Sequence, residues 1–117
     1  MRTTTLGTTG TTGEQISVFA LGTMTFGTTC DRQTCFSLLD LYVERGGNLI
    51  DTANMYAFWL ADDPAAGGGQ SETVIGQWLE QRGRRDSVVI TSKVGNVTSQ
   101  GERERGPCLK ASYIVEE

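Results

Sequence analysis

Apolar and polar residues in the first half of the chain alternate in patterns that predict a hairpin, a strand and a helix. A Gly/Thr-rich stretch at 7–13 lies between Leu6 and the apolar residues Ile16, Val18, Ala20 and Leu21, which predicts a β-hairpin running into a first strand that ends at Gly22. Asp31 is placed to cap a helix over about 32–45, and Gly46 to end it. The apolar residues of this helix recur at the helical period and are Cys35, Phe36, Leu38, Leu39, Tyr42 and Val43.

The pattern in the second half predicts two more strands and a second helix. Residues 48–51 form a short buried strand, and a loop of about twenty residues follows it. Ser71 is placed to cap the second helix, with Glu72 in its first turn and Gly83 at its end. The apolar face of this helix consists of Val74, Ile75, Trp78 and Leu79. The β-branched run at 88–90 then predicts a third strand.

The order of these elements indicates an α/β fold with a parallel sheet. A polar stretch at 95–106 precedes 109–117, which we read as the start of a third helix. A doubly wound dinucleotide-binding sheet would carry G-x-G-x-x-G after its first strand, and residues 22–27 lack that pattern. The sequence therefore favours the N-terminal portion of a (β/α)8 TIM barrel, about three of its eight strands preceded by a short β-hairpin. We expect 1–117 to be one incomplete domain, with the hairpin and first strand in 1–29 and the last loop and partial helix in 98–117.

Composition and charge narrow the class of ligand. The net charge is -4 with a pI near 4.8, so we expect neither a nucleic-acid partner nor an anionic membrane surface. No run approaches the roughly 20 apolar residues of a membrane span, and the polar start lacks a signal-peptide core, which predicts a cytoplasmic location. The three cysteines, Cys30, Cys35 and Cys108, form an odd set, and the chain has no histidine. We therefore predict no disulfide framework and no metal site.

Polar residues follow each predicted strand of the sheet. Residues 22–24 follow the first strand, Asp51 and Tyr56 the second, and Lys93 the third. The carboxyl ends of parallel strands in a barrel converge on one active site. A nearby ammonium favours the phenolate form of a tyrosine, and an aspartate can hold that ammonium in place. This set of side chains suits the protonation of a nascent alkoxide, with Tyr56 as the acid.

At these residues the sequence resembles the aldo-keto reductase family. The motifs that carry the resemblance span about 14–97 and are LGTMTFG at 21–27, NLIDTANMY at 48–56, GQSE at 69–72 with Gly76 and Trp78, and ITSKVG at 90–95. The combination of D-T-A-x-x-Y with T-x-K-V-G at this distance is specific, whereas each piece alone is weak. More loosely, 109–117 is similar to the start of the family's third outer helix.

The resemblance implies a site and a cofactor. It implies NADPH-dependent reduction of a small aldehyde or ketone, with Asp51, Tyr56 and Lys93 as three of four catalytic residues and the nicotinamide side contacted by Gly22, Thr23, Met24 and Asp51. The fourth residue of the family is a histidine, which this chain lacks, and the late phosphate-binding loops have no counterpart in it. We therefore expect the chain alone to be inactive and to self-associate through open sheet edges. A barrel remnant that binds nucleotide or a protein partner without turnover is the alternative.

Less specific interpretations exist for some of these residues. Asp51 could cap the strand end by bonding to a following backbone amide, and Lys93 could be an ordinary solvated lysine. Gly67 to Gly69 could suggest a phosphate loop, but no Lys-Ser/Thr follows, so a hinge fits better. The aromatic run at 58–60 could form one wall of a substrate pocket or simply cover the top of the sheet.

Overall fold

The computed structural model describes residues 1–7, 13–60, 67–95 and 109 of the chain. Two strands of an antiparallel hairpin come first, followed by three parallel strands that alternate with two helices. In chain order the elements are β1 (Thr3–Thr5), β2 (Gln15–Ser17), β3 (Leu21–Gly22), α1 (Arg32–Glu44), β4 (Leu49–Asp51), α2 (Gln70–Arg82) and β5 (Val89–Thr91). The predicted order is confirmed for these elements. The partial helix predicted at 109–117, like most of 98–117, lies outside the described residues.

The predicted hairpin is present and is attached to the amino end of the sheet. β1 pairs antiparallel with β2, with Thr4 opposite Ile16. Asn48, just before β4, accepts a hydrogen bond from the Ser17 amide at 2.7 Å and donates one to the Gln15 carbonyl at 2.7 Å. The hairpin therefore covers the end of the sheet opposite to the predicted site.

The three parallel strands have the order β3-β4-β5, and their register sorts side chains onto two faces. Leu21, Ile50 and Ile90 lie in one row and pack in the core that the helices cover. Because successive residues of a strand point to opposite faces, the next row is turned away from the helices. That row is Gly22, Asp51 and Thr91.

Helix α1 forms where its capping residues predict. The Asp31 carboxylate accepts hydrogen bonds from the backbone amides of Gln33 and Thr34 at 2.9 and 3.1 Å, which satisfies two of the free N–H groups at the helix start. Gly46 follows the helix with φ 81°. The predicted apolar face is correct except for Leu38, which is 41% exposed because it lies on the outer side of the helix.

The predicted start of α2 is wrong by two residues. Gly69 is the cap residue, and Ser71 lies inside the first turn with its side chain fully buried. Its hydroxyl points into the protein rather than to the free amides of its own helix, because buried threonine hydroxyls offer it partners there. The predicted end at Gly83 is confirmed, with φ 61°.

The two helices are joined by one apolar cluster and by a group of hydrogen bonds centred on Asp40. Trp78 and Leu39 are fully buried at the centre of the cluster. The indole N–H of Trp78 donates to Asp40 Oδ1 at 2.9 Å, and the Arg82 guanidinium donates to Oδ1 at 3.2 Å and to Oδ2 at 2.9 Å of the same carboxylate. A carboxylate that receives both groups fixes the register of α1 against α2.

In the described part of the chain, neither helix is long and apolar enough to cross a membrane.

The Tyr42 hydroxyl joins α1 to both sheets. It lies 2.7 Å from Ser17 Oγ, 2.7 Å from the Phe19 carbonyl and 2.9 Å from the Leu49 carbonyl. The ring passes so close to Gly47 that a Cβ there would lie 2.3 Å from Tyr42 Cζ. Gly47 is therefore required for the tyrosine to reach these partners.

Replacing Tyr42 with phenylalanine is expected to lower the free energy of unfolding by about 1–3 kcal/mol, because it leaves polar groups at a half-buried junction without their partner. Urea unfolding followed by circular dichroism measures the change. A loss no larger than that of Ser37→Ala, which removes an exposed hydroxyl from α1, would contradict the role of Tyr42 as a junction.

Candidate active site

Asp51, Tyr56 and Lys93 come together at the carboxyl end of the sheet. The Lys93 ammonium donates to Asp51 Oδ1 at 2.7 Å and to Tyr56 Oη at 2.9 Å. The Tyr56 hydroxyl donates in turn to the other carboxylate oxygen of Asp51, at 3.0 Å. The three side chains form a closed triangle of hydrogen bonds.

The backbone explains why residues distant in sequence meet here. Asp51 is the last residue of β4, and Lys93 comes two residues after β5, the neighbouring parallel strand. The Thr52 amide donates to the Thr91 carbonyl at 2.8 Å and the Asn54 amide to the Lys93 carbonyl at 3.3 Å, so the two chains stay paired beyond the strands. Tyr56 then folds back over this pair in the turn that follows.

The ammonium of Lys93 has a partner for each of its three protons. Besides Asp51 and Tyr56, it donates to the Thr52 carbonyl at 2.9 Å. Burial lowers the pKa of Lys93, but the hydrogen bonds to Asp51 and Tyr56 outweigh that effect and raise the pKa above the ordinary 10.5. Although half of its side chain is exposed, Lys93 is held in one position by its hydrogen bonds and is not an ordinary solvated lysine.

The carboxylate of Asp51 is held in its charged form. Burial raises the pKa of Asp51, but the hydrogen bonds from Lys93 and Tyr56 outweigh it, and the pKa falls below the ordinary 3.8. The Thr91 hydroxyl donates to Asp51 Oδ1 as well, at 3.3 Å. The Asp51 carboxylate thus bonds to side chains of the site, and the following backbone amide, that of Thr52, donates to the Thr91 carbonyl instead of to Asp51.

Acid is expected to destabilise the fold below about pH 4. Hydrogen bonds with Thr34 lower the pKa of Asp31, and the hydrogen bonds from Arg82 lower the pKa of Asp40. The pKa of Asp51 is lowered by its hydrogen bonds from Lys93 and Tyr56. A carboxyl whose pKa is lower in the folded chain contributes stability above its unfolded pKa, and this stability is lost as pH falls through the folded value. Urea midpoints measured from pH 7 to pH 3 test this, and Asp40→Asn should flatten the dependence. An unchanged slope in that variant would contradict the effect assigned to Arg82.

The residues predicted to contact a cofactor differ in accessibility. Gly22 lies beside Asp51 in the sheet, and no atom lies within 4 Å of the place where its Cβ would be. Met24 is 52% exposed. Thr23 is fully buried, with its hydroxyl donating to the Asp51 carbonyl at 2.9 Å. Gly22 and Met24 therefore present an open surface next to Asp51, and contact of Thr23 with a cofactor stays a prediction.

The turn that carries Tyr56 contains a strained residue. Ala57 has φ 68° and is fully buried, and it is the one non-glycine with positive φ among the described residues. This conformation costs an L-residue about 1–2 kcal/mol, so the surrounding contacts must hold it. Phe58 is buried behind the turn, whereas Trp59 and Leu60 are exposed.

Sequence reasoning missed a buried hydroxyl cluster behind the site. Thr23, Thr52 and Ser71 are each at most 2% exposed, and Ser71 Oγ lies 2.7 Å from Thr23 Oγ1 and 3.0 Å from Thr52 Oγ1. The available signal was a threonine directly after two neighbouring strands. Among the described residues, no group of three or more His, Cys, Asp or Glu side chains is placed to hold a metal ion. Cys30 and Cys35 are free thiols, and Cys108 lies outside the described residues.

Comparison with known sequences assigns the chain to a family. The sequence pattern of the Aldo/keto reductase family matches residues 19–117. An uncharacterized 11.2 kDa protein of Pseudescherichia vulneris is 44% identical over 88 residues, covering 74% of this chain and 82% of that protein. The NADP(+)-linked aryl-alcohol dehydrogenase of Phanerodontia chrysosporium is 37% identical over 110 residues, covering 87% of this chain but 26% of that enzyme.

Comparison with solved structures agrees with the sequence match. A holo-form aldo-keto reductase from Bacillus halodurans superimposes with a TM-score of 0.70 at 29% identity, over 99% of this chain and 33% of that one. An aldo-keto reductase from Klebsiella pneumoniae in complex with NADPH gives a TM-score of 0.55 at 35% identity, over 70% of this chain and 25% of that one. The chain thus spans a quarter to a third of the length of these solved relatives.

Proposed function

The chain belongs to the aldo/keto reductase family, and from this premise we propose that it supplies the proton-donating part of a site that reduces an aldehyde or ketone to an alcohol with NADPH. The observation that carries the proposal is the triangle of Asp51, Tyr56 and Lys93, in which Lys93 Nζ lies 2.9 Å from Tyr56 Oη. We place this activity in the cytoplasm on the sequence argument alone.

We propose further that β3, β4 and β5 are the first three strands of a (β/α)8 barrel. In that arrangement the row of Gly22, Asp51 and Thr91 would face the barrel interior, because it is turned away from the helices. A complete barrel of this kind has roughly 250 residues, and this chain has 117. The activity is therefore proposed for a barrel that contains this segment, and we expect the chain alone to show no NADPH oxidation.

Each side chain of the triangle has a distinct role in the proposal. Tyr56 donates a proton to the oxygen of the carbonyl as it becomes an alkoxide. Lys93 stabilises the phenolate that remains, because an adjacent cation favours the charged form. Asp51 holds the ammonium in position and keeps it charged. The cofactor, when bound, supplies the hydride that reduces the carbonyl carbon.

The described residues fit the nicotinamide end of such a cofactor. The open space at Gly22 and the exposed side chain of Met24 leave room for a flat group beside Asp51, where a larger residue than glycine would project. We propose that Gly22, Met24 and Asp51 contact it, and we keep Thr23 as a candidate. From the family we propose a small carbonyl compound as the partner of the site.

The proposal can be tested by completing the barrel. In a fusion enzyme, residues 1–117 replace the matching front segment of the Phanerodontia chrysosporium aryl-alcohol dehydrogenase. We expect aldehyde-dependent NADPH oxidation by the fusion enzyme, measured at 340 nm, and none by the 117-residue chain alone. A fusion that is folded by circular dichroism and binds NADPH, yet oxidises none with any aldehyde of a broad panel, would contradict the proposal.

The open edges of the sheet predict self-association of the isolated chain. In the described part of the chain, β3 and β5 each pair with β4 alone, so one side of each strand is unpaired. Unpaired strand edges readily pair with another copy. Size-exclusion chromatography is expected to show dimers or larger species at micromolar concentration. A monomer that unfolds cooperatively would contradict this expectation.

A second candidate is a barrel-derived protein that binds a nucleotide or a protein partner without turnover. It is favoured by one observation, the match to 82% of the length of an 11.2 kDa relative. Titration of NADPH fluorescence with the 117-residue chain separates the two candidates. Saturable binding without turnover in either the chain or the fusion enzyme would favour the second.

A further inference from the structure

The first turn of α2 forms hydrogen bonds with residues just beyond the carboxyl end of each of the three parallel strands. Ser71 bonds to Thr23 after β3 and to Thr52 after β4, and Glu72 accepts a hydrogen bond from Ser92 after β5. All three partners adjoin residues of the site, since Thr23 lies between Gly22 and Met24, Thr52 follows Asp51, and Ser92 precedes Lys93. We propose that Ser71 and Glu72 are positioning residues that hold Asp51 and Lys93 in register, a role whose catalytic meaning rests on the proposed function.

The hydroxyl protons can be counted to give a single direction along the cluster. Thr23 Oγ1 donates to the Asp51 carbonyl at 2.9 Å, and Ser71 Oγ donates to Thr23, whose Oγ1 and carbonyl oxygen lie 2.7 and 2.9 Å away. Each hydroxyl has one proton, so Thr52 is left as the donor to Ser71. The hydrogen bonds that start at Thr52 and pass through Ser71 therefore end on the backbone carbonyls of Thr23 and Asp51.

Burial makes this cluster intolerant of a missing member. Ser71 and Thr23 are fully buried and Thr52 is 2% exposed, so none of the three can replace a lost partner with bulk water. Removing the Ser71 hydroxyl leaves Thr52 without its acceptor and Thr23 without its donor. The strand ends then lose the bonds that connect them through α2, although the core beneath them keeps its contacts.

Glu72 extends the same connection to the third strand. Its Oε1 accepts from the Ser92 hydroxyl, and Ser92 is the neighbour of Lys93 in the chain. Thr52 and Thr91 already join β4 and β5 through their backbone. Glu72 adds a side-chain bond on the helix side, so the position of Lys93 depends on α2 as well as on β4.

The competing interpretation is that these hydroxyls only satisfy one another in the interior. In that case their loss would lower stability without changing the contact between Asp51 and Lys93. A matched control is available in Ser17, which is 1% exposed and bonded to Tyr42 and Leu49 at the opposite end of β4. Ser17→Ala is the same chemical change in an equally buried place, far from the site.

The test measures how firmly the Lys93 ammonium is held in the full 117-residue chain. The chain has two lysines, Lys93 and Lys110, so trace acetylation between pH 8 and 11 followed by mass spectrometry gives the Lys93 rate with Lys110 as internal reference. Asp51→Asn sets the rate expected when the ion pair is lost. We expect Ser71→Ala to raise the relative rate of Lys93 by about threefold or more, equal to half a pKa unit, and Ser17→Ala to leave it unchanged.

Two further variants keep the inference testable if Ser71→Ala does not fold. Thr52→Val preserves shape while removing the hydroxyl, and Glu72→Ala removes an acceptor that Glu72→Gln retains. Thr52→Val and Glu72→Ala should raise the Lys93 rate, and Glu72→Gln should restore it. Variants that lose stability while Lys93 reacts as in the wild type would overturn the inference, as would a wild-type rate equal to that of Asp51→Asn. An inactive fusion enzyme with the expected acetylation pattern would overturn the proposed function alone.

Discussion

Replacing Tyr56 with phenylalanine in the fusion enzyme is expected to lower the rate of carbonyl reduction by about 10²- to 10⁴-fold, the usual loss when general acid catalysis is removed. The change deletes the one hydroxyl that lies between Lys93 and Asp51, at 2.9 and 3.0 Å. The ring stays in place, so binding of NADPH should survive. Steady-state kinetics with one aldehyde, together with a fluorescence titration of NADPH, measure both quantities.

The matched control for this variant is Tyr42→Phe, the same chemical change at a structural junction. We expect opposite effects from the two variants. Tyr42→Phe should lower the stability of the enzyme and leave its turnover number unchanged, whereas Tyr56→Phe should leave the stability unchanged and lower the turnover number. A Tyr56→Phe enzyme with near wild-type turnover and an unchanged pH profile would show that Tyr56 is not the acid. The D-T-A-x-x-Y motif would then carry fold rather than chemistry.

Local patterns were sufficient to predict most elements of the fold. Helix α1 begins and ends as its flanking residues indicate, because the Asp31 carboxylate and the backbone freedom of Gly46 act within one helical turn. The hairpin and the three parallel strands follow from equally local signals. Each of these features depends on residues that are neighbours in the sequence.

The start of α2 could not be predicted, because it depends on distant residues. A serine followed by a glutamate resembles a helix cap, and that reading requires the Ser71 side chain to bond to its own helix. In the fold, hydroxyls of Thr23 and Thr52 meet Ser71 in the interior, and Gly69, with φ 93°, takes the cap position instead. Tertiary partners decided which hydrogen bond the serine makes.

The triangle of the site could be predicted in part. That Asp51, Tyr56 and Lys93 adjoin strand ends is visible in the sequence, and the parallel sheet brings those ends together. Their hydrogen-bond partners are not visible, because the Thr52 carbonyl and the Thr91 hydroxyl enter the site only through the pairing of β4 with β5. The motif thus predicts which residues meet, and the sheet register determines how they are held.

Replacing Lys93 with methionine in the fusion enzyme should cost at least as much in turnover as the loss of the Tyr56 hydroxyl. Methionine keeps the length of the side chain but removes the cation, so the phenolate left after proton transfer would stand beside the Asp51 carboxylate with no opposite charge. The expected loss is again about 10²- to 10⁴-fold or more. Lys93→Arg is a useful comparison, since it keeps the charge but cannot reproduce the compact three-way contact.

Asp51→Asn should cost less at neutral pH, because Asp51 acts on the reacting oxygen only through its neighbours, but it should change the pH dependence. The pKa of Lys93 is raised above 10.5 in part by Asp51, so the wild-type ammonium persists to higher pH than that of a free lysine. Without the carboxylate that pKa falls, and the alkaline decline of the turnover number should move to lower pH. Profiles of kcat from pH 6 to 11 for the wild type, Asp51→Asn and Lys93→Met measure this shift. If Asp51→Asn declines at the same pH as the wild type, the carboxylate does not hold the ammonium in the working enzyme, and the role assigned to Lys93 must rest on the Lys93→Met result alone.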